Sequence, residues 1–118
     1  MRRDQDIVQK YISGLKPIQS SKLKQIEEAL RSDDKWGINI GATEGHILQW
    51  LIYTHQLKKV VEIGTQYGYS TQWMLEALPP DAKVFSFEKD EGNYLKAKNF
   101  VTDSRVDFHL GNALEVLP

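Results

Sequence analysis

Within VVEIGTQYGYST, residues 60–71, one glutamate sits among Val60, Val61 and Ile63 and directly precedes a glycine turn. An ionised carboxylate in an apolar strand is costly unless it is paired or hydrogen-bonded. Glu62 therefore answers either a lysine from a neighbouring helix or the cationic group of a ligand. Gly64 and Gly68 follow with the spacing G-x-x-x-G. Glycine there permits a sharp turn and lets a ligand approach the backbone. The pattern is neither the G-x-G-x-x-G dinucleotide fingerprint nor the phosphate loop G-x-x-x-x-G-K-[ST]. Tyr67 and Tyr69 add bulk beside the loop, where a pyrophosphate wants small residues, and Glu62 would repel a phosphate. Ser70 opens the next helix, where its hydroxyl and the helix start suit a small carboxylate. These residues can hold a cationic, phosphate-free molecule with an amino-acid end.

Two more segments extend the pattern. Glu88 ends the run KVFSFE, at the place where nucleotide-binding α/β folds put an acid on the ribose hydroxyls; otherwise it is an exposed strand-end charge. Gly111, Asn112 and Ala113 form a small loop that could receive a purine edge or simply cap a helix. An amino-acid end, a ribose and a purine together describe S-adenosylmethionine, whose cationic sulfonium suits an acidic rim. His46, His55 and His109 are scattered, with no pair at metal-ligand spacing such as H-x3-H. They read as surface or packing residues. Trp50 and Trp73 fall in predicted helices and are expected in the core, while Trp36 lies in a loop and is the better candidate to face a ligand.

The elements that must position these residues follow from periodicity. Asp6–Leu15 carries a helical stripe ending near Gly14 and Pro17. Ser20 or Ser21 can cap a helix to about Arg31 with Leu23, Ile26 and Leu30 on one face. Residues 33–41 read as a loop. Thr43 is the expected cap of a helix to Gln56 with Ile47, Leu48, Leu51 and Ile52 inward. Lys59–Ile63 is a β-branched run consistent with a parallel strand covered on both faces. Then come a helix over Ser70–Leu78 stopped by Pro79-Pro80, a strand over Lys83–Glu88, and a helix over Asp90–Val101 packing Tyr94, Leu95, Phe100 and Val101. A strand over Arg105–Leu110 and the start of a helix over Asn112–Leu117 complete the order. Strands alternating with helices imply parallel pairing and right-handed crossovers. Ligands of such sheets bind at the carboxyl ends of the strands, which puts all three candidate segments on one rim.

Composition sets outer limits. The chain has 118 residues, 41% hydrophobic and 26% charged, with a formal net charge of −1. That supports one domain at most and no strong attraction to nucleic acid or an anionic membrane. There is no cysteine, which excludes disulfides, thiolate nucleophiles and thiolate metal sites. Met1-Arg2-Arg3 leads into Asp4-Gln5-Asp6 rather than an apolar run, so a signal peptide is not expected. No stretch approaches the ~18 apolar residues of a membrane span, and a cytoplasmic location is the default expectation.

The string EIGTQYGYST resembles the first motif of the S-adenosylmethionine-dependent O-methyltransferases that include catechol and caffeoyl-CoA O-methyltransferases, close to E-[ILV]-G-x-x-x-G-Y-[ST]-[AT]. The match falls at Glu62, Ile63, Gly64, Gly68, Tyr69, Ser70 and Thr71. INIGATEGHIL, VFSFEKDEGNYLKAKNF and HLGNALEVLP resemble the neighbouring family segments. The resemblance covers about residues 36–118. It implies that Ile40 and Gly41 lie against the methionine part of the cofactor, Glu88 on the ribose, Lys89 beside the adenine, and Gly111, Asn112 and Ala113 near the adenine. It also implies a Rossmann-like class I methyltransferase fold, here an α/β unit truncated to N-terminal helices plus a three-stranded parallel β-α-β-α-β unit. Residues 1–35 then form an N-terminal helical segment and 36–118 a partial cofactor domain.

Family members run to roughly twice this length. The resemblance implies a divalent metal, Mg, in the full-length family, bound by residues that have no counterpart here, so no catalytic or metal residue is assigned. The function expected is the cofactor-binding part of an enzyme that methylates a hydroxyl, in the family usually phenolic, of a small-molecule acceptor, with this chain inactive alone. The alternative is a non-catalytic cofactor-binding or assembly module derived from that fold. A nicotinamide-nucleotide oxidoreductase is disfavoured by the missing G-x-G-x-x-G and by the two tyrosines. In the family the strand matching Lys59–Ile63 sits centrally. Here its far edge is expected to be unpaired, so a homo-oligomer or a missing C-terminal half is the expected partner, with no nucleic acid and no membrane.

Overall fold

The computed structural model describes residues 19–116; the expected helix at Asp6–Leu15 lies outside them. Helix α1 spans Ser21–Ser32, and Ser20 caps it by accepting the Leu23 N–H at 3.2 Å. Leu23, Ile26 and Leu30 form its buried stripe, as their spacing predicts. Helix α2 spans Ala42–His55. Its cap is Gly41 rather than Thr43, and the Glu44 carboxylate returns to accept the Gly41 N–H at 3.0 Å. Strand β1 is Lys59–Ile63, helix α3 Tyr69–Leu75, strand β2 Lys83–Glu88, helix α4 Glu91–Phe100, strand β3 Val106–Leu110 and helix α5 Ala113–Val116. Asp90 caps α4 by accepting the Asn93 N–H at 2.8 Å.

The strands pair in the order β1-β2-β3, all parallel. Register sets Val60, Val84 and Val106 side by side, and Glu62, Ser86 and Phe108 likewise. Alternation puts both rows on one face. That face is the core: Val60, Val84, Val106 and Phe108 share a cluster with Leu23, Ile26, Leu30, Tyr67, Tyr69, Trp73 and Val101. Helix α1 therefore shares one core with the sheet rather than forming a separate layer.

The other face differs from expectation. Val61 and Ile63 are 54% and 70% exposed, and Phe85 is only half-buried. Phe87 is covered by stacking on His109, with ring centroids 4.9 Å apart. Among the described residues β1 pairs on one side only, so its far edge is free, as anticipated. Lys59–Ile63 is thus an edge strand covered on one face, not a strand buried on both.

Helix α2 also turns differently. Ile47, Leu51 and Trp50 face solvent, Trp50 at 62% exposure, and the buried positions are Gly45 and Ile52 with Leu48 partly covered. Gly45 is inward because the Trp73 indole lies against its backbone; an added Cβ would stand 2.4 Å from the ring. Leu95 on α4 is exposed as well, while Phe100 and Val101 pack as expected.

Arg105 closes the end of α3. Its Nη1 donates to the carbonyls of Leu78 at 2.7 Å and Pro79 at 3.2 Å, and Nη2 to that of Leu75 at 2.9 Å. These are carbonyls left without helical partners. Asp103 steadies the guanidinium at 2.9 and 2.7 Å, and this hydrogen bonding holds the Asp103 carboxyl below the usual carboxylate range. Arg105→Ala should cost about 2–3 kcal/mol in urea unfolding, since three carbonyls lose a charged donor. The Asp103 contribution is present above its unfolded pKa and is lost as pH falls through its lower folded value. A wild-type stability that stays flat across that acid range would contradict the pair.

Candidate functional site

The three rim segments leave the sheet side by side. The parallel ladder continues past the strands, with Gly64 N–H donating to the Phe87 carbonyl and Gly111 N–H to the Glu88 carbonyl, both at 2.8 Å. Gly64 has φ +88°, and a Cβ there would meet no heavy atom within 4 Å. The backbone thus turns sharply beside open space. Gln66 follows at φ +53°, and its N–H donates to Glu88 Oε1 at 2.7 Å. Glu88 Oε2 accepts the Asp90 N–H at 2.9 Å. Glu88, 8% exposed, thus ties the first loop to the second.

Glu62 has no lysine partner among the described residues. It is held by hydroxyls. Ser70 donates to Oε2, Thr71 to Oε1, and Ser86 to Oε1 at 2.7 Å. Burial pushes the Glu62 carboxyl above its usual range, the three hydroxyls pull it back, and the nearby Glu88 charge adds to the rise. Sequence reasoning located the carboxylate but missed Thr71 and Ser86 as its supports, Thr65 behind Ser86, and the Gln66 amide on Glu88. Ser86 becomes visible only through the strand register, which sets its hydroxyl beside Glu62.

The tyrosines correct an expectation. Both are buried and point into the core rather than flanking the loop. Tyr67 donates its hydroxyl to Asp33 and stacks on Phe100, with Lys35 and Lys96 over its ring at 5.3 and 5.6 Å. Burial and the Asp33 bond raise its pKa to about 12. Tyr69 donates to Gln19 at 2.8 Å and meets Trp36 edge-on. Trp36 is therefore a packing residue, with Arg31 across its other side. Gly68, at φ +85°, is also internal: a Cβ would stand 2.8 Å from Val101 Cγ2.

The remaining candidates are placed as follows. Ile40 packs against the core and Gly41 caps α2. Lys89 is exposed. Gly111 has φ +147°, and Asn112 caps α5 by accepting the Leu114 N–H at 3.0 Å. Ala113 is buried beside them. Among the described residues no three His, Cys, Asp or Glu side chains gather to hold a metal, so an implied Mg has no seat on them. Among those residues no helix is long and apolar enough to cross a membrane.

The two glycines should respond differently to alanine. Gly64→Ala meets only backbone strain, about 1–2 kcal/mol. Gly68→Ala adds a clash with Val101, a further ~1–3 kcal/mol. Equal losses in chemical denaturation would refute the distinction.

Comparison with known proteins agrees with this arrangement. A family model described as O-methyltransferase matches residues 14–118. The catechol O-methyltransferase of Niastella koreensis is 30% identical over 94% of this chain and 52% of that protein. The caffeoyl-CoA O-methyltransferase of Medicago sativa is 29% identical over 95% of this chain and 48% of that protein. Among solved structures, the O-methyltransferase TomG from Streptomyces achromogenes in complex with SAM superimposes with a TM-score of 0.84 at 30% identity, over 94% of this chain and 52% of that one. The Bacillus cereus O-methyltransferase in complex with SAH gives 0.82 at 26% identity, over 92% and 51%. The chain spans about half the length of these relatives and carries the corresponding part of their Rossmann-like fold. By sequence and by fold, the chain belongs to the O-methyltransferase family.

Proposed function

We propose that this chain is the S-adenosylmethionine-binding part of an O-methyltransferase acting on a hydroxyl, in our reading phenolic, of a small molecule. The observation that carries this is the pairing of two carboxylates, Glu62 and Glu88, at the ends of adjacent strands beside the open turn at Gly64. Two acids without a cation suit a positively charged nucleoside and reject a phosphate-bearing one. When bound, the nucleoside supplies an electrophilic methyl group.

The chain's own residues bind and orient it. Glu62 receives the ammonium at Oε2, and Ser70 turns from Glu62 to the carboxylate. Glu88 takes a ribose hydroxyl while holding the first loop. Gly111, Asn112 and Ala113, with Lys89, border the adenine, and Ile40 and Gly41 border the methionine. Gly68 and Tyr69 serve from behind, fixing the angle at which α3 enters.

The chain alone is inactive in this reading, because no described residue is placed to hold a metal or activate an acceptor oxygen. The free β1 edge and the open face at Val61 and Ile63 are where a completing half or a second copy would sit. Titration calorimetry with S-adenosylhomocysteine, in competition with a nicotinamide dinucleotide, tests the reading. Binding that the dinucleotide does not displace supports it. Absent binding, or displacement by the dinucleotide, sinks it.

A further inference from the structure

The hydrogen count around Glu62 is asymmetric. Ser86 has one hydroxyl hydrogen, and it goes to Glu62 Oε1 at 2.7 Å. The contact between Thr65 Oγ1 and Ser86 Oγ, at 2.5 Å, therefore takes its hydrogen from Thr65. Thr71 donates to Oε1 as well. Both acceptor positions of Oε1 are thus filled. Thr65, Thr71 and Ser86 are all fully buried, so water cannot stand in for any of them. Oε2 has a single donor, Ser70, which is half-buried at the open side of the rim.

From this geometry we infer that Ser86, with Thr65 behind it and Thr71 beside it, is a positioning residue that locks Oε1 so that Oε2 alone meets a ligand cation. The relay runs from the loop after β1, through the centre of β2, to the carboxylate. It ties the loop's position to the direction in which the charge points. It also gives the carboxylate donors that favour its ionised form, against burial and the like charge of Glu88. With Oε1 filled, the site offers one carboxylate oxygen, and it reads one protonated amine rather than a broad cation. This inference rests on the cofactor reading above for its ligand but not for its hydrogen bonds.

The test separates the two. Carbon-13 carboxyl resonances of glutamate, followed against pH in the ligand-free chain, give the Glu62 midpoint directly. Ser86→Ala should move that midpoint up. Thr65→Val, which keeps shape and removes only the outer donor, should move it up by less. Ser86→Thr, which keeps a hydroxyl, should restore it.

Calorimetry with S-adenosylhomocysteine should then show affinity falling as pH drops through the Glu62 midpoint. In Ser86→Ala that fall begins at higher pH, so the loss of affinity relative to wild type is largest between the two midpoints and narrows as pH rises. A midpoint unmoved in both Ser86→Ala and Thr65→Val overturns the relay, whatever the nucleoside does. An affinity loss equal at every pH also overturns it, since that is a packing defect. A moving midpoint in a chain that binds no S-adenosylhomocysteine upholds the relay and sinks the cofactor reading instead.

Discussion

Replacing Trp73 with alanine will remove roughly 3–5 kcal/mol of stability, a large part of the ~5–15 kcal/mol a domain has in total. Trp73 is 1% exposed and sits where α2, α3 and the sheet meet. Its indole lies against the Gly45 backbone, its carbonyl accepts the Gln49 side-chain amide at 2.9 Å, and its ring meets Tyr69 edge-on at 6.3 Å. His46 covers it at 4.9 Å. Alanine would leave a void that these neighbours cannot close, because Gly45 is held by the α2 backbone and Tyr69 by its bond to Gln19. Circular dichroism in a urea series is the measurement, since the substitution removes the most buried of the three tryptophans and with it the best fluorescent reporter of the core. A loss below about 1 kcal/mol would mean that the three-way contact does not exist as described.

The second large effect is on binding. Glu88→Ala should weaken S-adenosylhomocysteine by about 10–100-fold, the range expected when a charge-assisted hydrogen bond is lost. In this structure the Glu88 carboxylate already accepts the Gln66 and Asp90 amides, so a ribose contact would be its second duty. Part of the loss will come from a loosened turn rather than a missing ribose contact. A double-mutant cycle separates them: wild type and Glu88→Ala, each against the nucleoside and its 2′,3′-dideoxy analogue. A ribose contact predicts that the dideoxy analogue loses far less than the parent on mutation. Equal losses for both ligands would leave Glu88 as a loop tie only.

Much of the scaffold was legible because local chemistry and tertiary demand agreed. Ser20 before a Leu-Ile-Leu stripe gives α1, and the runs at Lys59 and Lys83 give strands at their observed limits, whereas α3 ends at Leu75, short of the Leu78 expected from Pro79-Pro80. The direction of α2 was not legible. Ile47, Leu48, Trp50, Leu51, Ile52 and Tyr53 surround the helix with apolar groups, so periodicity states no preference. The deciding residue is Gly45, chosen by a tryptophan far along the chain. The second face of β1 was unreadable for a related reason: Val-Val and Ile are the same letters whether or not another layer lies over them. At the site, sequence reasoning found the two acids and the turn from residue type alone. It took Tyr67 and Tyr69 as bulk around the turn, because nothing local reveals that Phe100 and Gln19 draw them inward. Ser86 was passed over because a serine in a strand is unremarkable until register sets it beside Glu62.

The open sheet face has a thermodynamic signature. Val61, Ile63 and part of Phe85 are already hydrated when the chain is folded. Unfolding then wets less new apolar surface than in a domain covered on both sides, so its heat-capacity increment is small for its length. The stability curve of this chain is correspondingly broad and shallow against temperature. Any polypeptide that settles on that face will sharpen the curve as well as raise it.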